Sequence, residues 1–228
     1  MARHVVLLHG WSATSESMGE LAAFVAQLGR PVTTIHLGDY LSMQDDVRVE
    51  DAAKRMQAVV EEQVCKGALS KPFDLIVHST GALVARLWLA RSYPTGDGPV
   101  RNFLMLAPVN FGSRLAKLGR SMAARVYKTL FGDAKAFETG TEMLHALELA
   151  SPFQWDLAQA DLFLPAADAA AGVARTGVYR PDGVRPFIIA GTHPLAGAPL
   201  FATEPGSDCT ARVASANLNA SGLTIDFS

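Results

Sequence analysis

Five short and almost continuous apolar runs constrain the fold of this 228-residue chain most strongly. Runs without polar alternation are typical of strands buried on both faces, as in a parallel sheet. Stretches with helical periodicity lie between the first runs, and strand alternating with helix predicts a doubly wound α/β sheet. The runs are HVVLLHG (4–10), VTTIHLG (32–38), FDLIVHS (73–79), RNFLMLAPV (101–109) and RPFIIAG (185–191).

The alternation is interrupted between about residues 112 and 180, where helical patterns and aromatic residues occur without a convincing strand. Because the strand pattern resumes at 185–191, we predict a helical cap inserted over the carboxyl edge of the sheet. We therefore expect a single α/β domain over 1–228, with its cap at about 112–180.

The composition argues against several classes of function. A formal net charge of −2 gives no basic footprint for nucleic acid. No apolar stretch approaches the ~20 residues that span a bilayer, and the first residues are interpreted as a strand and not as a signal peptide. Cys65 and Cys209 occur in unrelated contexts, which favours a reduced, cytoplasmic setting.

Ser79 stands between an apolar run and a helical pattern, in VHSTG (77–81). Functional groups of a parallel sheet gather where strands end and helices begin. A sharp turn there exposes a serine hydroxyl, and the N-terminus of the next helix directs its positive dipole at the site. Gly81 allows the helix to pass close to the strand, but Val77 stands where the usual turn has a small residue. Taken alone, the motif also suits a structural serine.

Three further stretches change that balance. LLHGWSATSES (7–17) ends the first run with His-Gly, LAPVNFGSRLA (106–116) follows the fourth run, and GSDCTARVASANLN (206–219) places an aspartate in a turn after the fifth. In chain order, a strand ends in His-Gly, a later strand leads through Ser79 into a helix, and the last strand is followed by a loop with an aspartate. This order resembles the α/β-hydrolase superfamily, and more narrowly its lipase and esterase branch, which includes phospholipases. The resemblance covers essentially the whole chain.

The resemblance implies a set of site residues. Ser79 would be the nucleophile, the main-chain amides of Trp11 and Thr80 the oxyanion hole, and Asp208 the acid of a catalytic triad. Asp208 also fits an ordinary turn, because Gly-Ser-Asp is turn chemistry. No metal or organic cofactor is implied, and no metal-ligand spacing occurs in the sequence.

The histidine of the triad is missing from its expected place. A serine needs a general base, and in this fold the histidine follows the aspartate. All six histidines (4, 9, 36, 78, 145 and 193) precede Asp208. Either the base lies beyond residue 228, or His193 supplies it, or the protein is not a hydrolase. We interpret His9 as structural, and His78 as pointing to the opposite face from its neighbour Ser79.

The expected substrate is a small-molecule ester or a lipid, and the expected reaction is carboxylic-ester hydrolysis through an acyl-enzyme. The alternative is a catalytically silent hydrolase-fold protein that binds a lipid or a protein partner. The basic amphipathic stretch 112–131 is either a lid or a transient contact with a membrane surface. A further set of apolar residues could line an acyl pocket or form a core within the cap: Phe153, Trp155, Leu157, Leu162 and Phe163.

Overall fold

The computed structural model describes residues 2–10, 18–35, 46–118, 141–162, 177–180, 182–194 and 205–218. The strands are β1 (Val5–Leu8), β2 (Val32–Ile35), β3 (Phe73–His78), β4 (Val100–Leu106) and β5 (Arg185–Ile189). The helices are α1 (Gly19–Gln27), α2 (Val49–Cys65), α3 (Gly81–Ser92), α4 (Thr141–Leu147), α5 (Pro152–Asp161) and α6 (Val213–Ala216), with a 3-10 helix at Arg114–Leu118. The strands form one parallel sheet in the order β2-β1-β3-β4-β5, which confirms the predicted α/β class.

The central strands are buried as their apolar runs predict. All four residues of β1 are buried, and β3 beside it carries Phe73, Leu75 and Val77 into the core with no exposed surface. Helix α3 is buried along nearly its whole length, from Gly81 to Ala90. This helix therefore runs through the interior directly after the turn that carries Ser79.

The edge strand β5 departs from the prediction of burial on both faces. Phe187 is 49% exposed and Ile189 is 59% exposed, while Ile188 between them is partly buried. β5 pairs only with β4 among the described residues, and no described element covers the face that carries Phe187 and Ile189. A continuous apolar run cannot distinguish a central strand from an edge strand.

The described part of the predicted cap packs on the core of the domain. Leu157 is only 2% exposed, and Phe153 and Leu162 pack against the same hydrophobic cluster as the sheet and α3. Trp155 is 54% exposed, and Phe163 lies outside the described residues, as does most of 112–131. No helix among the described residues is long and apolar enough to cross a membrane.

A fully buried ion pair connects α3 to α5, a helix of the predicted cap. The Arg86 guanidinium donates from Nε to Asp161 Oδ2 at 2.7 Å and from Nη2 to Asp161 Oδ1 at 2.9 Å. Neither side chain has any exposed surface. The Tyr179 hydroxyl also donates to Asp161 Oδ2, at 3.1 Å. Nothing in the sequence pattern predicts this pair, because its members are 75 residues apart.

We expect Arg86→Met to lower the free energy of unfolding by about 3–5 kcal/mol, because it leaves the Asp161 charge buried without its partner. Urea denaturation followed by circular dichroism measures the change. The matched control is Lys66→Met, which removes an exposed ion pair with Glu62 and should leave stability almost unchanged. Equal effects of the two substitutions would contradict a structural role for the buried pair.

Candidate active site

Ser79 occupies a strained turn between β3 and α3. Its φ is +51°, in the left-handed region that non-glycine residues rarely adopt, at a typical cost of about 1–3 kcal/mol. The Ser79 amide donates to the carbonyl of Leu106 at 2.9 Å, which ties the turn to the end of β4. Strain of this kind concentrates at functional sites, because a sharp turn presents a side chain that a regular element would not.

Gly10 packs directly against this turn. A Cβ atom added at Gly10 would lie 2.9 Å from Ser79 Cβ and 3.0 Å from the carbonyl oxygen of His78. The structure ends β1 at Leu8, so that His9 and Gly10 leave the sheet and reach the turn at Ser79. Trp11, which the sequence analysis assigns to the oxyanion hole, follows directly but lies outside the described residues.

Gly81 makes a second close approach between the same two segments. A Cβ atom at this position would lie 2.9 Å from the His9 carbonyl oxygen and 3.3 Å from that of Leu8. Thr80, the other residue assigned to the oxyanion hole, is 7% exposed and stands at the N-cap of α3. Main-chain amides at the start of a helix favour negative charge, so this end of α3 suits a developing oxyanion.

Two histidines lie beside the turn. His9 is 5% exposed, with Nδ1 at 2.8 Å from the Gly10 carbonyl oxygen and Nε2 without a hydrogen-bond partner among the described residues. Burial lowers the pKa of His78, the Asp208 charge opposes that change, and His9 adds to it. His78 is therefore neutral near pH 7. Although His78 lies on β3 next to Ser79, the charges of Asp208 and His9 act on its imidazole.

Asp208 lies at the same edge of the sheet, in the turn that follows β5. A Cβ atom at Gly191 would be 3.1 Å from Asp208 Cβ, which places the aspartate against the end of the strand. Its Oδ1 accepts hydrogen bonds from the Thr210 amide at 2.9 Å, the Thr210 hydroxyl at 2.8 Å and the Ala211 amide at 2.7 Å. The geometry is that of an aspartate turn, and its charge also reaches His78.

His193 is not held by a carboxylate in the part of the chain that the structure describes. It is exposed, and its Nδ1 lies 2.9 Å from the hydroxyl of Thr192. A triad histidine is oriented by an acid, so the described contacts give His193 a different partner from the one that a general base needs. Asp182 is exposed in a turn before β5.

Sequence reasoning missed the residues that surround Asp208. Thr210 donates to the carboxylate, and the Ser113 hydroxyl donates to the Thr210 carbonyl at 2.5 Å. Both lie in stretches that the sequence analysis singled out, but their contact spans 97 residues. The signal available was the pair of polar motifs after β4 and β5, since parallel neighbouring strands end at one edge. No cluster of metal-ligating side chains occurs among the described residues.

The chain is similar to a known protein family and to solved structures of lipid-cleaving enzymes. The family model of palmitoyl protein thioesterase matches residues 4–166. Phospholipase PlaB from Legionella pneumophila is 29% identical, with a TM-score of 0.75 over 95% of this chain and 46% of that chain. The mature lipase BlEst2 from Bacillus licheniformis is 15% identical, with a TM-score of 0.60 over 96% of this chain and 80% of that chain. No curated protein matches the sequence. The chain thus spans less than half the length of PlaB.

Proposed function

Because the chain belongs to the palmitoyl protein thioesterase family and has the α/β-hydrolase fold, we propose that it hydrolyses carboxylic esters of lipids through an acyl-enzyme on Ser79. The observation that carries the proposal is the strained turn at Ser79, with φ +51°, closely packed against Gly10. The relatives named above are a phospholipase and a lipase, which supports a lipid or ester substrate.

In the proposed reaction the Ser79 hydroxyl oxygen attacks the ester carbonyl carbon and transfers its proton to a general base. The negative charge that develops on the carbonyl oxygen is stabilised by the amides of Trp11 and Thr80, each contributing ~3 kcal/mol. Collapse of the tetrahedral intermediate releases the alcohol or thiol, which takes up the proton from the base. Water then attacks the acyl-enzyme by the same route and regenerates Ser79.

Asp208 has the role of the acid that orients the base. It would accept a hydrogen bond from an imidazole and stabilise the imidazolium that forms when Ser79 loses its proton. The base itself is either His193 or a histidine that the 228-residue sequence does not contain. The Asp208 charge at the edge that carries Ser79 and His78 supports this assignment.

Turnover of a matched substrate series tests the proposal. We expect the natural gene product to hydrolyse a medium-chain aryl ester, a palmitoyl thioester or a phospholipid, and to leave the corresponding alkyl amide intact, since an amine is a far poorer leaving group. Ser79→Ala should abolish every activity in the series. Binding of these lipids without turnover would instead support the alternative, a catalytically silent protein with a hydrolase fold.

A further inference from the structure

We infer that the loop 109–113, which follows β4 and has the sequence VNFGS, positions the proposed triad acid Asp208, and that it acts through Thr210. This inference rests on the proposed function, because it assigns a role to residues around Asp208. The loop is not part of the sheet, and its sequence motif alone does not indicate a function. Its contacts in the structure indicate one.

Three hydrogen bonds join the loop to the segment that follows Asp208. The Ser113 hydroxyl donates to the Thr210 carbonyl at 2.5 Å. The Phe111 amide donates to the Ser215 carbonyl at 2.8 Å. The side-chain amide of Asn110, which is fully buried, donates to the Ala216 carbonyl at 2.7 Å. The loop thus runs along residues 210–216 and fixes their backbone at both ends.

The loop is itself fixed from its other side. The Arg86 guanidinium donates to the Asn110 carbonyl at 2.7 Å, and the Ser113 amide donates to the Leu147 carbonyl at 2.8 Å. Gly112 has φ +92°, and a Cβ atom there would lie 2.6 Å from the Glu148 carbonyl oxygen. A segment held on the core helix and on the cap can serve as a rigid template for the turn beside it.

Thr210, whose backbone the loop holds, also contacts the carboxylate of Asp208. Its hydroxyl, its amide and the Ala211 amide all donate to Asp208 Oδ1, so three donors meet at one oxygen. Within the described residues, Oδ2 receives none of these bonds. The arrangement restrains rotation of the carboxylate and, among the described residues, leaves Oδ2 as the oxygen that can accept a hydrogen bond from an imidazole N–H. Thr210 is therefore a positioning residue, which would touch neither substrate nor base.

The test compares Thr210→Val with Thr210→Ser. Valine keeps the shape of the side chain but removes one bond to a charged acceptor, so we expect kcat to fall about 10-fold to 100-fold with KM unchanged. Serine restores the hydroxyl and should recover most of the rate. The matched control is Thr95→Val, which removes a hydroxyl bond of 2.5 Å to the exposed Asp97 and should change neither constant.

A second readout separates this inference from the proposed function. The rate at which a fluorophosphonate labels the protein depends on activation of the serine, and we expect Thr210→Val to slow labelling to the same extent as kcat. Ser113→Ala, which leaves the Thr210 hydroxyl in place, should cause a smaller loss in the same direction, and it replaces Thr210→Val if that variant does not fold. Absence of labelling in the wild-type protein would reject both proposals. Labelling at the wild-type rate in a folded Thr210→Val protein would reject the positioning role alone.

Discussion

Ser79→Ala is expected to lower kcat for ester hydrolysis by roughly 10⁴-fold to 10⁶-fold, with KM almost unchanged. The substitution removes the atom that is proposed to form the acyl-enzyme, while the proposed oxyanion hole and the rest of the site remain. Alanine also fits the turn sterically, although the φ of +51° is as unfavourable for it as for serine. Initial rates with a chromogenic ester, together with a urea unfolding curve, measure both quantities.

The matched control is Ser92→Ala, at the exposed end of the helix that Ser79 precedes. This variant should retain wild-type kcat and stability, because it removes a hydroxyl of the same kind far from the turn. Retention of more than about a hundredth of wild-type kcat in Ser79→Ala would mean that another group carries the reaction.

Gly10→Ala is the second substitution for which we expect a large effect. Its methyl group would lie 2.9 Å from Ser79 Cβ and 3.0 Å from the His78 carbonyl oxygen, too close for either atom. The segment after β1 must therefore move away from the turn and take the proposed Trp11 donor with it. Loss of one oxyanion donor typically lowers kcat by about 10²-fold to 10³-fold. We also expect a loss of about 1–3 kcal/mol in stability, because the contact is overpacked.

Gly19→Ala provides the comparison for Gly10→Ala. Gly19 begins α1, and a Cβ atom there would meet nothing within 4 Å. Steady-state kinetics on both variants should show a large loss at position 10 and none at position 19. A Gly10→Ala protein with wild-type kcat would contradict the packing of the two segments, and with it the assignment of the oxyanion hole.

The sheet is predictable from the sequence because its signal is local. An apolar run such as 73–79 identifies a buried strand by itself, and five runs separated by helical stretches leave few alternatives to a parallel sheet. The ends of the strands are less predictable. The run at 4–10 continues past Leu8, where the strand ends, and hydrophobicity alone does not show that His9 and Gly10 leave the sheet.

The site is only partly predictable, because its geometry depends on contacts between distant residues. The roles of Ser79 and Asp208 are predictions from motif order and from the resemblance to a known superfamily. The contact between Ser113 and Thr210 joins segments 97 residues apart, and no periodicity encodes such a partner. His78 shows a related difficulty: alternation along β3 describes which face a residue takes, but the electrostatic influence of Asp208 on it comes from a residue 130 positions away in the sequence.

The mass of tryptic peptide 67–86 after reaction with a fluorophosphonate tests the central claim most directly, because this peptide contains Ser79. Nucleophilic attack by the serine oxygen on phosphorus expels fluoride and leaves one phosphonyl group on the enzyme. We expect fragmentation to locate that group on Ser79, and the peptide from Ser79→Ala to be unmodified. An unmodified peptide from wild-type protein that hydrolyses esters in the same preparation would contradict the assignment of Ser79 as the nucleophile.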